Sequence, residues 1–313
     1  MNRLLFFALL TLFLATPASI SRSKPQVFKT KVNWVYLTVT VTDRDGRAVR
    51  GLPREDFEVY EDGLLQEMKF FVAERRPISL TLLIDVSGSM SDKFGEMRDA
   101  VLHVLDNLGE EDTIHVVLFS HDIEVLKDVQ ERKQEFIDAL GRVKLSGGTR
   151  LYDSVGLSLR ELGRVETGRK GIIALSDGKD TASRTQLKSF LRQVRESDFP
   201  IYTLGIGHFS NRGLLSRIFG AGHHEPEVNE VVLKRIAEVT GGRFYKVAGE
   251  HQKGGRDVID YYCQLILDEL KSQYLIVYEP SNPVQDGKWR EIKVKVKGKK
   301  NTLRTRSGYY PTG

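Results

Sequence analysis

Hydrophobic and polar positions change their period twice along this chain. Between residues 27 and 76 no helical repeat appears. Val32–Thr42 (VNWVYLTVTVT) has the β-branched and aromatic composition of a strand and runs into the turn Asp43-Arg44-Asp45-Gly46. Phe57–Tyr60 and Gln66–Val72 read as two further short strands around Glu61-Asp62-Gly63. These are too few strands to close a β-sandwich alone.

From residue 79 the pattern alternates. Leu80–Ile84 is an apolar run of buried-strand length. Met97, Val101, Val104, Leu105 and Leu108 then recur at steps of three and four, one face of a helix. Thr113–Phe119 predicts a strand, with Ile123–Val129 as its antiparallel neighbour. Lys133–Leu140 and Leu151–Leu162 predict helices, Gly171–Leu175 a strand, Gln186–Val194 a helix and Ile201–Ile206 a parallel strand. After an irregular stretch at 207–229, Val232–Val239 is a helix stopped by Gly241-Gly242, and Arg243–Lys246 is a short strand. Asp257–Leu270 is the final helix. Strands alternating with helices at this spacing predict a doubly wound α/β domain with a mostly parallel central sheet.

The end of the chain returns to period two. Tyr274–Tyr278 and Arg290–Lys297 read as strands, the latter with Ile292, Val294 and Val296 inward and Lys293, Lys295 and Lys297 outward. The tail Leu303–Tyr310 follows. The order β, α/β, β predicts one small β-sandwich built from both flanks, with the α/β domain inserted between them. The expected boundaries are 27–76 and 273–313 for the two β segments and 78–272 for the insertion.

Composition changes this picture little. The 313 residues are 40% hydrophobic and 28% charged, with a formal net charge of +5, as in an ordinary globular chain, and a charge this modest does not by itself imply nucleic acid. The N-terminus changes it more. Arg3, the apolar run Leu4–Leu14 and the small residues Thr16-Pro17-Ala18-Ser19 predict a secretory signal over residues 1–21 and a chain that is exported, to the periplasm or the exterior. No later apolar run is long enough to span a bilayer. The single cysteine, Cys263, allows no internal disulfide and shares a helical face with Ile259, Ile266 and Leu270, where it reads as a small core residue. The outward lysines read as a solvated strand face, with weak contact to an anionic envelope as the functional alternative.

Candidate chemistry gathers at strand ends. Leu80–Met90 (LTLLIDVSGSM) carries Asp85, Ser87 and Ser89 where its strand finishes. Ser146-Gly147-Gly148-Thr149 precedes a helix, and Leu175-Ser176-Asp177-Gly178 ends another strand. Ligands of open α/β sheets bind outside the carboxyl ends of the strands. Five hard oxygen donors on that edge, Asp85, Ser87, Ser89, Thr149 and Asp177, suit Mg²⁺, with Mn²⁺ or Ca²⁺ as alternatives. Two carboxylates and three hydroxyls leave an octahedral ion a position for an outside ligand, such as an Asp or Glu carboxylate of a protein partner. The pair His223-His224 with Glu225 reads as an exposed loop rather than a transition-metal site.

The pattern DVSGSM, GGT, LSDG resembles the metal-ion-dependent adhesion site (MIDAS) of von Willebrand factor type A domains, over about residues 78–272. The resemblance implies that Ser87 and Ser89 coordinate the metal directly, that Asp85 and Asp177 do so directly or through water, and that Thr149 joins when ligand is engaged. It also implies a non-enzymatic adhesion or binding module and a last helix able to shift on ligand binding. The flanks VTVTDRDGRAVRGLPREDFEVYEDG and GKWREIKVKVK resemble a group of bacterial exported proteins of this type. The alternatives are a metal-dependent hydrolase with Asp85 as nucleophile or base, for which Lys179 and His208 are the only candidate acid–base partners, and a scaffold whose metal merely orders loops.

Overall fold

The computed structural model describes residues 34–127, 129–166, 168–207, 228–248, 255–297 and 301–311. The segment read as a secretory signal, His208, and the loop with His223, His224 and Glu225 lie outside the described residues.

A six-stranded sheet forms the centre. Its strands are β5 (Ile78–Asp85), β6 (Thr113–Phe119), β7 (Ile123–Leu126), β8 (Arg169–Ser176), β9 (Ile201–Gly207) and β10 (Phe244–Ala248), in the spatial order β10-β9-β8-β5-β6-β7. All pairings are parallel except that of the edge strand β7. Every residue of β5 is buried, because helices cover both faces. Leu80, Leu82 and Ile84 face α1 (Phe94–Asp106) and α6 (Gly255–Lys271), where Met97, Val101, Ile259, Ile266 and Leu270 pack, and Cys263 lies in the same core. Leu83, on the other face, meets α3 (Leu151–Gly163), α4 (Leu187–Arg195) and α5 (Glu230–Thr240) through Val155, Phe190 and Ile236. The short helix α2 (Lys133–Gly141) adds Phe136 and Leu140 to the first face. Gly241 ends α5 in the left-handed conformation, φ 77°, as its glycine pair predicts. Among the described residues no helix is long and apolar enough to cross a membrane.

The remaining strands form two four-stranded antiparallel sheets. One runs β13 (Thr302–Arg304), β1 (Val35–Thr42), β11 (Tyr274–Tyr278), β4 (Met68–Val72). The other runs β14 (Gly308–Tyr309), β12 (Arg290–Val296), β2 (Phe57–Glu61), β3 (Leu64–Gln66). Leu37, Val39, Tyr274 and Ile276 of the first share a core with Phe57, Val59 and Ile292 of the second. Strands from the two ends of the chain interleave, so the sandwich exists only when both flanks meet. One strand reading needs correction: Gln66–Val72 is not continuous. The chain breaks at Glu67, and β3 and β4 enter different sheets. The only local sign of the corner is the polar pair Gln66-Glu67, with no glycine or proline to mark a turn. The lysines of β12 do point outward, and Lys295 lies over the Tyr60 ring at 4.4 Å, with Glu58 as its cross-strand partner.

Buried charges tie these parts together. Inside the sandwich, Glu61 accepts hydrogen bonds from Arg290 (3.0 Å), Tyr278 (2.7 Å) and Tyr309 (3.0 Å). Glu61 comes from the N-terminal flank and its three donors from the C-terminal one, so this network locks the two flanks in register. At the base of the α/β domain, Lys271 Nζ lies 2.6 Å from Asp112 Oδ2, fixing the end of α6. Asp112 also accepts from the N–H groups of Ile78 and Gly109. Burial pushes the Asp112 carboxyl up, but the Lys271 hydrogen bond and the two backbone donors outweigh it and hold the group below its usual range. A depressed carboxylate stabilises the fold above its unfolded value of about 3.9, and that contribution is lost as pH falls through the folded value. Asp112→Asn therefore lowers stability by roughly 3 kcal/mol at neutral pH, since it leaves Lys271 buried and unpaired. The gap between denaturant titrations of wild type and variant begins to narrow only below about pH 4 and closes as pH falls through the folded value of Asp112.

Candidate metal centre

The chain crosses from one half of the central sheet to the other between β5 and β8. From β5 it proceeds outward through β6, whereas from β8 it proceeds the opposite way through β9. Adjacent strands with diverging connections open a crevice at their carboxyl ends. Asp85 is the last residue of β5, and Asp177 directly follows β8.

Asp85 is fully buried. Its Oδ1 accepts from the Ser87 N–H at 3.0 Å and its Oδ2 from the Ser176 hydroxyl at 2.6 Å, across the β5–β8 pair. Burial pushes the Asp85 carboxyl up to about 6, against the Ser176 and Ser87 hydrogen bonds that lower it, and the charge of Asp177 adds to the rise. Beyond Ser87 the chain makes a tight 3₁₀ turn, Gly88–Met90, which brings the Ser87 and Ser89 hydroxyls to 3.2 Å. Ser87 is buried and Ser89 exposed.

Asp177 is buried too. Its Oδ1 accepts from the Lys179 N–H at 3.0 Å, whereas its Oδ2 has no hydrogen-bond partner. The bend after it requires glycine: Gly178 has φ +76°, and a Cβ there would stand 2.9 Å from the Asn229 carbonyl oxygen.

Thr149 reaches this edge through a backbone lattice. Its N–H donates to the Thr181 hydroxyl (2.8 Å), and its carbonyl accepts from the N–H groups of Thr181 (2.9 Å) and Ala182 (3.0 Å). Gly148 permits this approach, because a Cβ there would lie 2.8 Å from Thr181 Oγ1. The same loop satisfies the first turn of α3, whose N-cap Arg150 makes no side-chain cap. Tyr152 N–H donates to Asp180 and Asp153 N–H to Ser183 Oγ. Asp153 returns the contact, accepting from the N–H groups of Arg184 and Thr185 and from the Arg150 guanidinium. The loop after β8 is thus bolted to the loop before α3. The Ser146 backbone also lies beside Gly88, so all three loops share one rim.

Ser176, Asp153, Asp180, Thr181 and Ser183 are parts of this site that sequence reasoning missed. The signal for Asp180, Thr181 and Ser183 is a run of short polar side chains between a strand and a helix, which reads equally well as a turn, while Ser176 ends β8 and Asp153 lies in the first turn of α3.

Does the donor set fit a cation? Among the described residues no three His, Cys, Asp or Glu side chains gather as a metal-holding group. Two buried carboxylates, serine hydroxyls nearby and an orphaned carboxylate oxygen make an all-oxygen, acid-poor rim. That chemistry fits a hard divalent cation and not a soft one.

A mostly parallel sheet flanked by helices, with acidic and hydroxyl side chains at its switch point, defines an α/β binding domain. The chain belongs to the von Willebrand factor type A domain family, whose model matches residues 79–252. Members of this family commonly serve as protein-interaction modules. Inter-alpha-trypsin inhibitor heavy chain H3 of Bos taurus is 27% identical over 243 residues, covering 70% of this chain and 26% of its own length. This chain therefore spans about a quarter of the length of that relative. Among solved structures, a von Willebrand factor type A protein from Catenulispora acidiphila is 13% identical with a TM-score of 0.49, covering 91% of this chain and 76% of that one. Proximal thread matrix protein 1 from the mussel byssus, with its MIDAS occupied by zinc, is 17% identical with a TM-score of 0.45, covering 67% of this chain and 49% of that one.

If the lattice positions the rim, loosening it is measurable. Asp153→Ala removes charge-assisted acceptors from the Arg184 and Thr185 amides, at a cost of about 2 kcal/mol locally. Hydrogen exchange at those two amides quickens by roughly thirtyfold, while amides within β5 keep their protection.

Proposed function

We propose that this protein is an exported, divalent-metal-dependent binding module that captures an acidic group of a protein partner. Asp85, Ser87, Ser89, Thr149 and Asp177 would hold the ion, with Mg²⁺ the first choice and Mn²⁺ or Ca²⁺ as substitutes. One observation carries this reading: Asp177 Oδ2 is shut away from solvent without a hydrogen-bond partner, beside a second buried carboxylate. A buried anionic oxygen with no hydrogen bond, faced only by the Lys179 ammonium at 3.7 Å, is costly, and this supports a site suited to a cation. When bound, the ion would supply a Lewis-acidic position open to an outside carboxylate.

The chain's own residues supply orientation. Ser176 and the Ser87 N–H hold Asp85 from both sides, and the Asn229 N–H fixes the Asp177 backbone at 2.7 Å. The loop carrying Thr149 is braced by Thr181 and Ala182. A rim fixed in this way suits capture of a preformed surface group. Residues 1–21 are taken as a removed signal, with 27–76 and 273–313 forming the sandwich that carries the 78–272 domain.

Calorimetric titration of the purified chain tests the reading. Wild type takes up Mg²⁺ or Mn²⁺, and Asp85→Ala weakens uptake by tenfold or more, a loss of about 1.4 kcal/mol. Wild type that takes up neither ion, or that matches Asp85→Ala, sinks the proposal. N-terminal sequencing of the mature protein is expected to start near residue 22, and an intact Met1 on the exported chain would remove the signal assignment.

A further inference from the structure

Of the four carboxylate oxygens of the two buried acids, three accept hydrogen bonds: both of Asp85, and Oδ1 of Asp177. Asp177 Oδ2 accepts none. A cation from its own loop stands near it, with Lys179 Nζ 3.7 Å away. That distance is too long for a hydrogen bond and within reach of an ion pair. The Lys179 side chain is 33% exposed and that of Asp177 only 4%, so the ammonium reaches inward from the solvent side. Its position is set by the backbone. Gly178 at φ +76° turns the chain, and the Lys179 N–H closes onto Asp177 Oδ1, which plants the lysine beside the acid it faces.

We propose that Lys179 is a built-in counter-ion: it neutralises Asp177 in the metal-free chain, then turns outward when a divalent cation takes that oxygen and presents a second positive charge to the acidic partner. The proposal rests on the binding reading above. An ammonium and a dication cannot both neutralise one carboxylate oxygen without repelling each other. Lysine suits such an exchange, because its charge rides on a flexible four-carbon stem and here holds no hydrogen bond to Asp177 that would have to break. Arg150, at the same rim, is already committed to Asp153 by two hydrogen bonds. In the metal-free chain Lys179 also limits the repulsion between the two acids. In the loaded chain two carboxylates cancel a dication, and an outward Lys179 leaves the rim positive by one, which selects for an acidic ligand.

The test uses the full chain with Lys179→Met and Lys179→Arg. In titrations with MgCl₂ alone, Lys179→Met binds roughly fivefold tighter than wild type, and Lys179→Arg matches wild type. In EDTA, Lys179→Met melts at a lower temperature than wild type, since Asp177 has lost its counter-ion. With Mg²⁺ present, Lys179→Met binds poly-glutamate more weakly although it holds the ion more tightly. Opposite signs in the two titrations are a result that a merely structural lysine would not produce. Unchanged Mg²⁺ affinity in Lys179→Met, with wild-type binding measured, overturns the counter-ion role and leaves the site standing. Poly-glutamate binding that is absent in wild type, or unchanged in Lys179→Met, overturns the outward role. Wild type that takes up neither Mg²⁺ nor Mn²⁺ overturns the site and this inference together.

Discussion

Burial of two carboxylates at one sheet edge is the constraint around which the rim of the α/β domain is arranged. Asp85 and Asp177 close adjacent parallel strands whose register ends at Ile84 opposite Leu175, so the two acids fall on one edge. Loss of solvation raises the Asp85 carboxyl, and the charge of Asp177 adds to that rise. Most of the surrounding detail serves to hold these charges in place: the Ser176 hydroxyl reaching across from β8, the N–H groups of Ser87 and Lys179, and the glycine that lets the chain turn after Asp177. A site with fewer donors would expel one of the acids to water. This one keeps both.

The architecture was legible in the sequence for a specific reason. Helices cover both faces of β5 and β8, so those strands are continuous apolar runs, while the helices that cover them show one apolar side at steps of three and four. Two different periods cannot be confused over such lengths. The sandwich was harder. The break at Glu67 carries no glycine or proline, and only the separation of β3 and β4 into two sheets reveals the corner. Arg290 and Glu61 were also hidden. Charged residues read as surface from composition, yet both point inward here, because each supplies the other's counter-charge and two tyrosine hydroxyls complete the network.

For the site, the residues at strand ends were readable because position along a strand fixes position on the sheet edge. The residues that brace the rim were not. Asp153 sits inside the first turn of α3, where an acid is ordinary. Its partners at Arg184 and Thr185 lie more than thirty residues away in the chain, and only the folded loop brings them together. The orphaned oxygen of Asp177 could not be foreseen either. It is a property of what surrounds the side chain, not of the side chain itself.

The interleaving of the flanks has a consequence for how the molecule comes to be folded. Val35 pairs with Tyr278 and Val72 with Leu275, contacts that span most of the chain. Pairings so distant are slow to form from an open chain, because the loop between them must close first. The α/β domain can make its own contacts without either flank, and its first and last elements lead directly into β4 and β11, which are neighbours in one sheet. Once it is folded, the effective loop between the flanks shrinks from some two hundred residues to the short gap between those strand ends. The inserted domain therefore acts as the closing device for the sandwich, and a lesion in its core would leave two unpaired sets of β-strands exposed at the same time.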